Sequence, residues 1–500
     1  MFRIGTYTLA VSLLAASLVA GCAVGPDFKR PAAPADGDYA ARPLASTAAT
    51  PNVAGGEAQR FAAGRDIAGD WWTLFHSRPL NELIELALKN NPDLKSAYAA
   101  LSAARENVLA QRGAYYPGVT AGYSASRQNQ SALLAPVPNY PVVANEFQYD
   151  LFTPQLSVSY VPDVFGLNRR SVESLKAQEQ GVRFQMIAAH NTLSANVAVA
   201  AIQEAALQAQ IDATRRLVDL NARTVRILQY QFAKGYASRL DLAAQESQLA
   251  QVRATLPPLQ KQAAQLRHLL AVLAGRFPNQ APADKFELSS LQLPQELPLS
   301  LPSQLVAQRP DVLQAEANLH AASAQIGIAA ANRLPNIELT ANAGSTALAI
   351  DQVFTSGTGF WGLGAALTAP LFQGGARLHQ ERAAKAAYVQ AAEQYRSTVL
   401  SAFQNVADTL AALEQDAAGL KAAAAAADAA KVTLDLSQRQ LQDGYAGYVS
   451  LLSAEQAYQQ ARINLVQAQA NRYVDTAALF QALGGGWWHR ADLRQDKDEK

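Results

Sequence analysis

A 500-residue chain with 42 basic and 41 acidic side chains, net charge +1, carries no electrostatic footprint for nucleic acid, and none is expected among its partners. Charged residues make up only 17%, against about 25% in a typical domain, and Ala, Gln, Ser and Leu fill the gap, a composition suited to closely packed helices. The six histidines lack metal-ligand spacing, and there is no phosphate loop, nucleophile elbow or cysteine pair, so the chain is expected not to be an enzyme.

Residues 1–21 read as a secretory signal. Arg3 supplies the positive start, and Leu9 to Ala20 form an apolar run too short to span a bilayer. The run closes on Leu18-Val19-Ala20-Gly21-Cys22, small residues directly before the only cysteine. This resembles a bacterial lipobox, which implies cleavage before Cys22 and acylation, palmitate included, of that residue. Ala23 rather than Asp follows, which by the usual sorting rule favours the outer membrane. At about 0.8 kcal/mol per buried CH2, several acyl chains make a stable anchor. A covalent lipid on Cys22 is the only non-protein group expected, with no other cofactor and no metal.

Residues 22–66, rich in Ala, Pro, Gly and Thr, read as a lipid-anchored linker or surface wrap. Asp70-Trp71-Trp72-Thr73-Leu74-Phe75 opens the ordered body, followed by a short amphipathic helix from Leu80 to Lys89. The chain then runs through the same order twice, over 67–290 and 291–485, before a tail at 486–500. Asn91-Pro92-Asp93-Leu94 returns as Arg309-Pro310-Asp311-Val312, and Tyr116-Pro117 as Leu334-Pro335. Lys234-Gly235-Tyr236-Ala237 returns as Asp443-Gly444-Tyr445-Ala446, and Ala274-Gly275 as Leu483-Gly484. The shift is about 210 residues, far beyond the 20–50 of a solenoid unit, and signals a duplicated fold.

Each copy opens with a helix carrying proline in its first turn, where the missing N–H costs little. Two strands come next, near 118–126 and 153–161 in the first copy and 336–344 and 359–369 in the second. After them come a very long helix (167–234; 375–443), a Gly-Tyr break, and a last helix (238–274; 447–483). The long helix would extend about 100 Å at 1.5 Å per residue. Val182, Met186, Ala189, Leu193, Val197, Ala200, Leu207 and Ile211 recur at steps of three and four, mostly, as along a coiled-coil seam. The last and first helices of a copy, stacked end to end, nearly match the long one in length.

The strands alternate. Leu156-Ser157-Val158-Ser159-Tyr160 and Ile337-Glu338-Leu339-Thr340-Ala341-Asn342 switch apolar and polar strictly, and Trp361, Leu363, Ala365 and Leu367 share one face. A transmembrane barrel wall and a half-buried soluble strand both show this period. If the strands are in lipid, four cannot close, and two, three or four chains must share a barrel.

In this order, these motifs resemble the outer-membrane factor, or TolC-like, family, in its lipoprotein branch serving resistance-nodulation-division efflux pumps. The resemblance covers nearly the whole chain. It includes Gly25-Pro26-Asp27-Phe28, Asp70-Trp71-Trp72, the two Pro-Asp helix starts, Gln325-Ile326-Gly327, Pro335-Asn336-Ile337-Glu338-Leu339-Thr340, Pro370-Leu371-Phe372-Gln373-Gly374-Gly375 and Ala482-Leu483-Gly484-Gly485-Gly486-Trp487. It implies a mainly α fold with a transmembrane β-barrel contribution. A homotrimer would form a twelve-stranded barrel continuous with an α-barrel of long coiled-coil helices. The implied function is that of an exit duct for small molecules, lipid-anchored in the outer membrane and extending into the periplasm. Its implied partners are a periplasmic adaptor, an inner-membrane proton-driven pump and outer-membrane lipid. An outer-membrane component for protein secretion and a non-pore, lipid-anchored coiled-coil scaffold are the alternatives.

The resemblance also implies site residues. Gly235, Tyr236, Gly444 and Tyr445 fall on the docking turns. The family's periplasmic constriction, an apolar residue with an acid four positions later, falls on Val449 and Ser453, so the acid is absent. Asp241, Asp443 or Glu455 could supply an acid nearby, but each reads rather as a solvated helix-end charge, and Glu338 and Asn342 as polar lining of a channel. Pro117 to Pro162 exceeds Pro335 to Pro370 by ten residues, expected as extra outward loop in the first hairpin. The second turn carries the gate-matching residues, so the first half is expected to be the fixed wall and the second the moving part.

Overall fold

The computed structural model describes residues 23–32, 38–39, 44–131, 146–281, 286–445 and 447–493. The signal peptide, Cys22, Ala446 and the charged end at 494–500 lie outside these residues. In chain order the elements are β1 (Arg60–Ala63), α1 (Arg78–Asn90), α2 (Pro92–Arg112), β2 (Gly118–Ser131), β3 (Glu146–Tyr160), α3 (Leu167–Ala233) and α4 (Arg239–Leu273). Then come β4 (Glu296–Leu299), α5 (Pro302–Gln308), α6 (Pro310–Ala331), β5 (Asn336–Ser345), β6 (Gly359–Thr368), α7 (Ala376–Gln442) and α8 (Tyr448–Ala482). The two long helices, α3 and α7, are each 67 residues, and α4 and α8 are each 35. The chain divides into two compact units, one holding residues 1–30, 102–180 and 317–393, the other 31–101, 181–316 and 394–500.

The first unit contains an antiparallel sheet of order β2-β3-β5-β6. Its register turns four separate alternations into one pattern. Val119 pairs with Val158, Ala121 with Leu156, Val158 with Ala341, Leu156 with Ala343, Ala341 with Leu363 and Ala343 with Trp361. Directly paired residues share a face, so a band of apolar side chains crosses all four strands. Trp361 and Leu363 on that face are each 78% exposed. The opposite face carries Thr120, Ser157, Ser159, Glu338, Thr340 and Asn342, with small glycines at 362 and 364. The extra residues of the first hairpin lengthen the strands themselves, to 14 and 15 residues against 10 and 10 in the second, at least in part. The expectation of extra loop alone is corrected to that extent. Ser126-Arg127-Gln128-Asn129-Gln130 pairs without apolar alternation, so nothing in the pattern marks it as strand.

The second unit is built on helix seams. Met186, Leu193, Val197, Ala200 and Ile211 of α3 are buried. Helix ends meet as the lengths imply. Asn91 accepts from the amides of Asp93 and Leu94 at the start of α2 (2.9 and 3.0 Å) and donates to the Leu273 carbonyl ending α4 (3.0 Å). In the second copy Arg309 donates to the Ala482 carbonyl ending α8 (2.9 Å) and to Ala402 of α7 (3.3 Å). Both satisfy carbonyls that a helix end leaves without partners.

Two boundaries need correction. Residues 44–66 follow the surface wrap and not the linker: β1 pairs in parallel with β4, and Thr47, Thr50 and Gln59 are buried. Arg472, fully buried on α8, holds this segment by donating to the carbonyls of Gly55 (3.4 Å) and Glu57 (3.1 Å) and to Thr47 Oγ1 (3.2 Å). Nor is 486–493 a tail. Leu493 is buried with Leu101, Met186 and Ile187, Trp487 packs against them, and its indole donates to the Gln308 carbonyl (2.7 Å). Trp71, Trp72 and Phe75 are buried as the opening of the core, with Trp71 stacked on Phe480 at 5.3 Å. Each such ring contributes about 1.5–3 kcal/mol by leaving water.

Candidate functional site

The two Gly-Tyr breaks are matched turns. Gly235 and Gly444 hold φ of 81° and 79°, a left-handed conformation that glycine adopts without steric cost. The Tyr236 amide donates to the Gln231 carbonyl and the Gly235 amide to Phe232 (2.8 and 3.0 Å); Tyr445 donates to Gln440 and Gly444 to Leu441 (2.8 and 3.2 Å). This paired closure is the Schellman motif. Tyr236 and Tyr445 stand 84% and 85% exposed. Leu240, Tyr230 and Phe232 are exposed beside the first turn.

The helices leaving the turns start differently. Ser238 caps α4 with a capping box: its hydroxyl accepts from the Asp241 amide (3.1 Å), while the Asp241 carboxylate accepts from the Ser238 amide (3.3 Å) and hydroxyl (2.5 Å). α8 starts from Gly447, which has no side chain to cap it. Val449, in its first turn, is 68% exposed, and Ser453 spends its hydroxyl on the Val449 carbonyl (3.0 Å). The Tyr448 hydroxyl donates to Gln231 Oε1, tying the start of α8 to the last turns of α3. Burial, with help from Asp241, raises the Tyr448 phenol above its usual range.

Below Val449 and Ser453 lies a buried polar bridge that the sequence alone did not suggest. Gln245 of α4 donates to Asn221 Oδ1 of α3 (3.0 Å) and to Glu455 Oε2 of α8 (3.2 Å). All three residues are buried, and Glu455 Oε1 has no hydrogen-bond partner. Burial holds the Glu455 carboxyl above its ordinary range, with Gln245 opposing. Glu455 is therefore not the solvated helix-end charge expected. Spacing contained the signal: Gln245 sits within Leu242, Leu249 and Val252, and Glu455 lies four residues beyond Leu451, both on the buried stripe. Asp241 serves the capping box instead of facing an opening.

Among the described residues no group of His, Cys, Asp and Glu is arranged to hold a metal ion. His190 is buried, and burial pushes its imidazole down to about 4, so it is neutral at physiological pH. No described helix is long and apolar enough to cross a membrane.

Comparison with known proteins fits this arrangement of sheet and turns. Residues 83–276 and 301–485 match the family described as Outer membrane efflux protein, one segment in each copy of the duplication. The chain is 28% identical to outer membrane protein OprJ of Pseudomonas aeruginosa over 95% of both chains. It is 30% identical to the toluene efflux pump outer membrane protein TtgF of Pseudomonas putida, covering 96% of this chain and 97% of that one. The open-state structure of the Neisseria gonorrhoeae MtrE outer membrane channel superposes with a TM-score of 0.77 at 26% identity, over 95% of this chain and all of that one. Matched by the family model in both copies of its duplication, the chain is a member of the outer membrane efflux protein family.

Proposed function

We propose that the chain is the passive exit duct of a tripartite efflux system, three copies closing one barrel through the outer membrane. The sheet carries this reading. Its apolar face is exposed across all four strands, and β2 and β6 are edges with no further partner among the described residues. Lipid tolerates no open edge, and a single-chain barrel needs at least about eight strands. Copies must complete one another, and three supply twelve. The other face, with Glu338, Thr340 and Asn342, then wets the lumen.

In the same reading the exposed tyrosines at Gly235-Tyr236 and Gly444-Tyr445 meet a periplasmic adaptor and a proton-driven inner-membrane pump. Val449 lines the constriction, and Ser453 leaves it without an acidic ring. Acyl chains on Cys22 hold the protein to the outer membrane. The pump supplies the energy, so this chain needs only to open. Likeness to a toluene efflux protein supports small molecules as cargo over secreted protein. Purified protein in planar bilayers tests the reading: discrete conductance steps are expected, larger in Val449→Gly. A non-pore scaffold would give no steps, and an unchanged conductance in Val449→Gly would remove that residue from the constriction.

A further inference from the structure

The described chain begins at Ala23, and its first residues are clasped. The Val24 amide donates to the Phe165 carbonyl (3.2 Å), and Ala23 packs so closely on Gly166 that a Cβ there would lie 2.7 Å from its own. Gly25, at φ 96°, lies against Gly327 with no room for a side chain between them. Arg170, buried on α3, donates to the carbonyls of Val24 (3.2 Å) and Gly25 (3.3 Å) and to the Asp27 carboxylate (2.8 Å). Phe28 stacks on His320 at 4.3 Å, and the His320 ring meets Glu173 (3.0 Å). Every one of these residues belongs to the unit containing the sheet.

Beside the clasp lies a cavity of about 660 Å³. Val161, Phe165, Leu167, Leu334, Ile337 and Pro370 give it apolar walls, and polar and charged side chains, Asn332, Gln373, Asp163 and Arg377 among them, complete the lining. Phe165 is shared: its carbonyl holds Val24, and the residue lines the cavity.

We propose that this cavity is a binding site for a saturated acyl chain carried on Cys22, with the clasp as the device that delivers it. The inference rests on the reading of Cys22 as acylated. Its apolar walls take the hydrocarbon and its polar groups suit the ester end. The anchor therefore leaves the protein at the foot of the sheet, where β3 gives way to α3, and not from a free tether.

The test is metabolic labelling of the full-length protein in its own membrane with a photoreactive palmitate analogue, and then mapping of crosslinked peptides. Crosslinks to peptides containing 161–171 and 331–337 are expected. They should be lost in Ser171→Trp, which fills the cavity, and in Asp27→Ser/Phe28→Ser, which frees the clasp from its exposed side without touching the helices. Incorporation of the label with crosslinks only elsewhere, or cavity crosslinks unchanged in both variants, overturns the site while leaving the anchor reading standing. A chain that takes up no label removes the anchor reading, and the site falls with it.

Discussion

The two copies share one design for the turn and differ in the helix that leaves it. Both long helices end in the same glycine motif, with φ values two degrees apart. Ser238 and Asp241 then fasten the first turn of α4 with reciprocal bonds, whereas Gly447 leaves the first turn of α8 uncapped. The junctions at the other end of these helices differ in the opposite sense. In the first copy a neutral amide, Asn91, joins α4 to α2; in the second a buried, charged Arg309 spans α8, α7 and the start of α6. The second copy therefore has a buried charge at the far junction and no cap at its turn, where the Tyr448 hydroxyl on Gln231 is what holds the first turn of α8. If α8 is the part that moves, its uncapped first turn is where it would yield.

The junctions offer the largest effect. Arg309→Ala strips the Ala482 carbonyl of its side-chain donor, removes a second bond to the Ala402 carbonyl within α7, and leaves Asp311 without its bidentate partner. A loss of about 3 kcal/mol is expected, against about 1–2 kcal/mol for Asn91→Ala, which removes an N-cap and one donor. Chemical unfolding of the solubilised protein compares them, and equal losses would break the claim that the second junction is the stronger.

The bridge beneath the second turn gives an intermediate effect with a sign. Because burial raises the Glu455 pKa, the folded state favours its protonated form. Its contribution is complete below the ordinary carboxylate range and fades as pH rises through the raised value. Amide exchange over the start of α8, corrected for intrinsic rates, should thus accelerate beyond that of α4 as pH rises through the raised value. Glu455→Gln should flatten the dependence. If α4 and α8 change alike, Glu455 is not the residue that distinguishes them.

Much of the fold is legible in the residues, and the features that escape have physical causes. Long periodic segments announce themselves: the pattern places the long helices at 167–234 and 375–443, and they run over Leu167–Ala233 and Ala376–Gln442. The β1–β4 pair is four residues a side, joins segments far apart in sequence and has no clean alternation, so no local pattern exposes it. Its stability comes from tertiary ties, Arg472 foremost. Glu455 escapes because a carboxylate in a helix is ordinarily solvated, and only its place on the apolar stripe says otherwise. Gly235 and Gly444 are plain because a left-handed turn favours glycine; Val449, exposed in the first turn of α8, has nothing in its own surroundings that marks it.

The smallest effect is the most pointed. Gly447 has an extended backbone (φ −86°, ψ 164°), and nothing lies within 4 Å of where its Cβ would be, so serine fits without strain. Its hydroxyl would reach the amides of the first turn as Ser238 does in the other copy. Replacing glycine by serine at an N-cap gains only a few tenths of a kcal/mol, whereas Ser238→Ala should cost about 1 kcal/mol. The two changes make the copies alike from opposite directions. If the uncapped turn is what lets α8 move, Gly447→Ser should slow amide exchange at 449–451 and reduce the fraction of time the channel spends open, while Ser238→Ala speeds exchange at 240–242. A channel whose open fraction responds to Ser238→Ala and ignores Gly447→Ser would place the motion in the first copy instead.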